Sequence, residues 1–199
     1  MTDASETRPV VLTIGHSTRA IEPFIRLLHA HEVMQVVDVR TLPRSRRNPQ
    51  FNRETLPDTL RIVGIGYVHM AGLGGLRRPR PDSPNIGWRN ASFRGFADYM
   101  QTPAFEVYLH TLLELARQQR LALLCAEAVP WRCHRSLIAD ALTVRGTKVE
   151  HILSPTHRQA HVLTPWARLN GTHLTYPSQD MERSSGDMLC GEIADGGEE

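Results

Sequence analysis

Residues 121–142 read LALLCAEAVPWRCHRSLIADAL. Cys125, Glu127, Cys133, His134 and Arg135 stand close together there: two thiols, a carboxylate, an imidazole and a guanidinium. These residue types support three chemistries. A cysteine could be a nucleophile, with His16 or His134 as its base. The Cys and His side chains could bind zinc or another divalent cation. Or the cysteines are small buried residues, as free cysteines commonly are, and Glu127, Asp38, His16 and His134 move protons. Spacing weighs against the first two. Thiol-phosphatase and rhodanese loops place an arginine at a fixed short interval after the cysteine. That position here is Trp131, one short of Arg132, and the Glu127 carboxylate inside the loop would repel an anion. Neither cysteine belongs to a CxxC pair, and His134 belongs to no HxxxH pair. No metal is therefore expected; one bound here would take Cys125, Cys133 and His134. Acid–base chemistry is the favoured reading.

Such residues act together only if the fold brings them to one place. VVLTIG (10–15) is a short apolar run closed by glycine and reads as a buried strand. Thr18 then caps a helix to about Glu32, with Phe24, Leu27 and Leu28 on its inner side. VMQVVDVR (33–40), IGYVHM (65–70), LALLCAE (121–127) and KVEHIL (148–153) read as further strands. Helices are expected near 53–64, 93–101, 103–119 and 131–146, the last starting at Pro130-Trp131 so that Cys133, His134 and Arg135 occupy its first turn. Residues 41–52 and 71–93 are loops rich in Pro, Gly and Arg. Residues 154–177 look irregular, with a short final strand at HLTYP. The alternation predicts an α/β fold: a mostly parallel sheet of about five strands, helices on both faces, three layers. The domain spans 10–177, with disordered residues at 1–9 and a disordered acidic tail at 178–199.

Ligands of open parallel sheets bind beyond the carboxyl ends of the strands. The first expected strand is followed by His16, Ser17 and Thr18; the second carries Asp38 and Arg40; the third ends at His69; the fourth ends at Cys125 and Glu127. Four strand ends thus deliver polar groups to one edge. His16, Asp38, Glu127 and His134 are the catalytic candidates. Ser17, Arg40, Gly74, Gly75, Arg132 and Arg135 are the candidates for holding an anion. Gly72-Leu73-Gly74-Gly75 lacks the ending of a phosphate loop and the spacing of a dinucleotide fingerprint, and reads as backbone that approaches the site closely.

Composition sets outer limits. At 199 residues, 41% hydrophobic and 22% charged, the chain reads as one globular domain. Three cysteines, one of them Cys190 in the polar tail, form no secretory disulfide framework. No signal sequence or membrane span is legible, and a reducing cytoplasm is expected. Of the 23 basic residues one is lysine, Lys148, and the other 22 are arginine. Arg40, Arg44, Arg46 and Arg47 lie in one cluster and Arg77, Arg78 and Arg80 in another, a pointer to phosphate groups.

The motifs also match a family. His16-Ser17-Thr18; Val37-Asp38-Val39-Arg40 leading to Pro43, Ser45 and Pro49-Gln50-Phe51-Asn52; Leu73-Gly74-Gly75; and Cys125-Ala126-Glu127 with Cys133-His134-Arg135 together resemble the domain-of-unknown-function family 488. The resemblance runs from about residue 11 to 177. His157, Leu163-Thr164-Pro165 and Leu174-Thr175-Tyr176-Pro177 look like the ending of its longer members. It implies a compact cytoplasmic α/β domain and carries over no reaction. From the residues, the expectation is an enzyme acting on a phosphate-bearing substrate, a nucleotide or nucleic acid. Its rivals are a non-catalytic nucleic-acid or metabolite binder and a metal-dependent hydrolase or redox protein.

Overall fold

The computed structural model describes residues 9–178. Apart from Pro9 and Ser178, the expected terminal disorder falls on residues outside that range. The strands are β1 (Val10–Gly15), β2 (Gln35–Asp38), β3 (Gly66–His69), β4 (Leu121–Cys125), β5 (Lys148–Ser154), β6 (His157–Ala160), β7 (Arg168–Asn170) and β8 (His173–Thr175). The helices are α1 (Ile21–Ala30), α2 (Leu56–Ile62), α3 (Ala91–Tyr99), α4 (Pro103–Gln118) and α5 (Arg135–Thr143). The main sheet runs β3-β2-β4-β1-β5-β6, parallel throughout except for β6.

Strand side chains alternate between two cores, as a pleated sheet covered on both faces requires. Leu12, Ile14, Val36, Ala122 and Leu124 face α1 and α2, meeting Phe24, Leu28, Leu56 and Leu60. Val11, Val37, Leu121 and Leu123 face α3, α4 and α5, meeting Phe96, Phe105, Leu109, Leu112, Leu137 and Ile138. This is a three-layer α/β fold. Among the described residues no helix is long and apolar enough to cross a membrane.

Local signals set the helix starts. The Asn90 side chain accepts from the Ser92 and Phe93 amides at the head of α3, and Thr102 accepts from the Phe105 amide ahead of Pro103 in α4. Thr18 caps nothing: Ala20 precedes α1, with no side-chain cap. The helix expected over 131–146 is two pieces. Pro130 starts a single 3-10 turn that ends at Arg132, closed by the Cys133 amide on the Pro130 carbonyl at 3.0 Å. Cys133 is extended, at φ −135° and ψ 143°, and α5 begins only at Arg135. The break turns the Cys133 thiol inward toward β4 rather than along a helix surface.

Beyond residue 154 the chain is more regular than its composition suggests. β6 pairs antiparallel with β5, and β7 with β8. All four β6 residues are exposed. The strand therefore lacks the apolar alternation by which a sequence announces one.

Candidate functional site

The register of the sheet sets the site. Gly15 pairs with Cys125, and Asp38 with Leu124 and His69, so β1, β2, β3 and β4 end level at one edge. The ladder continues past them, with the His16 amide on the Cys125 carbonyl at 3.0 Å and the Ser17 amide on the Ala126 carbonyl at 2.9 Å. Glycine at 15 is what permits this crossing, because a Cβ there would sit 1.9 Å from the Glu127 carbonyl oxygen.

Asp38, Arg40 and His16 form one buried unit. Asp38 Oδ1 accepts from the Arg40 amide at 3.0 Å and its Nε at 2.9 Å; Oδ2 accepts from Arg40 Nη2 at 2.5 Å and the Tyr67 hydroxyl at 2.8 Å. Burial and the Asp38 carboxylate push the Tyr67 hydroxyl well above its ordinary pKa. Arg40 Nη2 also donates to the Phe51 carbonyl at 2.7 Å, and Nη1 donates to His16 Nε2 at 3.2 Å. His16 Nδ1 donates to the Ser17 carbonyl at 2.7 Å, which fixes its tautomer. Burial holds His16 neutral, with its pKa down at about 4, assisted by the Arg40 charge. Phe51 stacks on the imidazole with centroids 4.3 Å apart. Both His16 nitrogens and every favourable acceptor direction of Asp38 are thus engaged by protein groups.

Cys125, Cys133, His134 and Arg135 form the second unit. His134 Nε2 donates to the Val39 and Leu73 carbonyls at 3.0 and 3.1 Å. A carbonyl only accepts, so Nε2 carries the proton and Nδ1 keeps its lone pair, 3.7 Å from Cys133 Sγ. Arg135 is 1% exposed. Its Nε donates to Cys133 Sγ at 3.4 Å and its Nη2 to the Glu127 carbonyl at 2.6 Å. Among the described residues no carboxylate pairs with it. A buried cation needs an opposite charge, and the sulfur beside it is the group that can supply one. The hydrogen bond from the Cys125 thiol, with the Arg135 charge, pushes Cys133 well below the ordinary thiol range despite burial. Cys125 moves up, through that same bond and its own burial.

Two hollows open over these units. The first, about 370 Å³, is lined by Cys125, Cys133, His134, Gly75, Glu127 and Arg132, with Leu42, Leu76 and Phe93 as its apolar wall. The second, about 400 Å³, is lined by His16, Ser17, Thr18, Arg44, Ser45 and Asn48. Arg40, Leu42, Ala126 and Glu127 border both.

The structure thus gathers His16, Asp38 and Arg40 in one group and Glu127, Arg132, His134 and Arg135 in another, with Ser17 and Gly75 at the walls. Gly74 is buried under Thr41 and lines neither hollow. Arg135, expected to hold an anion from a helix's first turn, instead braces the 127–128 carbonyls and Cys133. Glu127 is exposed, and its side chain makes one long bond, to the Val129 amide at 3.4 Å. Arg77 packs over Tyr99 and donates to the Gly72 and Gly74 carbonyls, so it holds the glycine-rich segment in shape. Sequence reading missed Thr41, Leu42, Leu76 and Asn48 as lining residues; nothing in their types marks them.

A search of curated proteins finds no match, and a search of solved structures finds none either. A family model described as domain of unknown function DUF488 matches residues 20–142, a stretch that includes Asp38, Arg40, the glycine-rich segment and the whole Cys125–Arg135 unit. The chain belongs to the DUF488 family.

Proposed function

We propose that the chain is an enzyme that takes a phosphate-bearing substrate, a nucleotide or nucleic acid, into the paired hollows at the carboxyl edge of the sheet. One observation carries the reading: basic groups and exposed arginines line two neighbouring hollows that share Arg40, Leu42, Ala126 and Glu127. Glu127 and the lone pair of His134 Nδ1 border the first hollow, while Arg44 and Arg132, both exposed, flank the two. Ser17, Ser45 and Asn48 add neutral donors beside Arg44. The apolar wall of Leu42, Leu76 and Phe93 suits a base or sugar face. His16 and Asp38 serve this reading as a frame. Their polar atoms are engaged by Arg40, Ser17 and Tyr67, which leaves proton transfer to Glu127 and His134.

The test is binding first and turnover second. Nucleotides and a short single-stranded oligonucleotide are titrated at two salt concentrations, then incubated with the enzyme and analysed for product. Affinity is expected to fall with salt, and by about tenfold in Arg44→Ala and Arg132→Ala. Glu127→Gln is expected to keep affinity and lose about 100-fold or more in turnover. Binding without any turnover would favour a non-catalytic binder. No binding at either salt would remove the phosphate-bearing substrate.

A further inference from the structure

The Cys125 and Cys133 sulfurs and a ring nitrogen of His134 lie within 4.8 Å of one another. Thiolate sulfur binds zinc at about 2.3 Å and imidazole nitrogen at about 2.0 Å. Two such bonds meeting at a tetrahedral angle put sulfur and nitrogen about 3.5 Å apart. Cys133 Sγ and His134 Nδ1 stand 3.7 Å apart.

The surroundings favour ligation as well as the spacing does. A histidine that ligates through one nitrogen commonly donates the other N–H to a carbonyl or carboxylate. His134 does this through Nε2, to Val39 and Leu73, and so turns its unprotonated Nδ1 toward the sulfurs. Phe96 meets the imidazole edge-on, with centroids 5.1 Å apart, and Gly75 lies against its face. The ring is therefore held before any ion arrives. Arg135 supplies an N–H to Cys133 sulfur, the kind of contact that stabilises a metal-bound thiolate. The donors come from a strand end, an extended residue and a helix cap. That assembly explains why no short ligand-spacing motif betrays it.

We propose that Cys125, Cys133 and His134 form a three-ligand site for a borderline-soft divalent cation of the zinc class, whose fourth position faces the 370 Å³ hollow. Two thiolates and an imidazole suit zinc, and suit hard cations such as magnesium or calcium poorly. A site with three protein ligands leaves the fourth position to water or substrate, the pattern of a catalytic rather than a structural centre. Binding brings the cation to both sulfurs and releases to solvent the protons the thiols still carry. The assignment of a catalytic role to that fourth position rests on the enzyme reading above, while cation binding does not. With Nδ1 committed to the cation, Glu127 is left as the base on the rim.

The experiment uses the full chain carrying Cys190→Ser, so that only the two clustered thiols remain. The protein is reduced, stripped with a chelator and titrated with cobalt(II). A one-to-one complex is expected, with a near-ultraviolet thiolate-to-cobalt charge-transfer band that added zinc abolishes. Zinc should also protect both thiols from alkylation, a readout that needs no further variant. Cys125→Ser and Cys133→Ser should each lose about half of the band, and His134→Ala should bind zinc about tenfold or more weakly. Folded protein that gives no charge-transfer band, and whose thiols alkylate equally fast with and without zinc, would overturn the site. A band that survives both serine variants would overturn the ligand assignment. Cobalt binding without nucleotide binding would leave the site standing and sink the substrate reading. Nucleotide binding and turnover by a chain that takes no cobalt would do the reverse.

Discussion

Gly75 lies directly on the imidazole of His134: a Cβ at position 75 would stand 2.5 Å from both Cγ and Nδ1 of the ring. The ring has nowhere to retreat, because Nε2 is held by two carbonyls and Phe96 blocks another side. Gly75→Ala should cost about 1–3 kcal/mol of stability as an overpacking change. Denaturant unfolding measures that cost. The alkylation rate of Cys133, whose Sγ faces Nδ1, should change alongside it. An Ala variant as stable as the parent, with an unchanged Cys133, would mean that the glycine is not what seats the ring.

Asp38 predicts a different magnitude. The carboxylate is fully buried and paired with Arg40. Removing one partner of such a pair strands the other charge and costs about 3–5 kcal/mol. Asp38→Asn should therefore unfold at markedly lower urea, while Tyr67→Phe, which removes one donor to the same carboxylate, should cost about 1 kcal/mol. If Asp38→Asn stayed within about 1 kcal/mol of the parent, the ion pair would not be holding the strand ends together.

Acid should destabilise the fold through two histidines. Burial lowers His16 and His151 from 6.5 to about 4 each. His161, 3.1 Å from His151 Nε2, and Arg135 contribute to the lowering at His151. In the unfolded chain both rings take up protons near pH 6.5, and in the folded chain only near pH 4, so the unfolded state binds more protons in between. Stability contributed by their neutral forms is complete above pH 6.5 and drains away as pH falls toward 4. Unfolding curves at pH 7.5, 6, 5 and 4 should show the largest losses inside that window, and His151→Gln should flatten the profile.

One carboxylate gathers four donors from residues 161–176. Asp140 on α5 accepts from the Thr164 amide at 3.0 Å, the Thr164 hydroxyl at 2.7 Å, the Tyr176 hydroxyl at 2.9 Å and His161 Nε2 at 2.8 Å. Through His161 and His151 the network reaches Thr13 of β1. Asp140→Asn should free residues 161–177 before the sheet unfolds, seen as faster hydrogen exchange or proteolysis confined to that segment. Tyr176→Phe should give a weaker version of the same effect. Protection lost uniformly across the chain would show that the segment is part of the global unit.

That network also marks where sequence reading stops. The strand ends were legible because apolar runs such as VVLTIG and LALLC end in polar residues, and parallel strands share a carboxyl edge. The break before α5 was not legible. Pro130 signals a helix start equally well for a 3-10 turn, and only the extended backbone at Cys133 distinguishes them. Asp140, His151, His161, Thr164 and Tyr176 lie on four separate stretches of chain, and each alone reads as an ordinary surface or core residue. The partners of His16 and Asp38 hid in a similar way. The chemistry of these two residues suggests proton transfer, and only the fold shows their atoms hydrogen-bonded to Arg40, Ser17 and Tyr67.

The position of β1 bears on how the chain can be cut. The family match covers residues 20–142, yet β1, at 10–15, lies between β4 and β5 in the middle of the sheet. A fragment trimmed to the matched residues would lose its central strand together with β5. The β4 edge would be left bare, with Leu121 to Cys125 presenting unpaired amides and carbonyls to any strand that could join them. The matched residues alone thus lack β1, β5 and β6 of the main sheet. The thiols at the end of β4 need the chain on both sides of it.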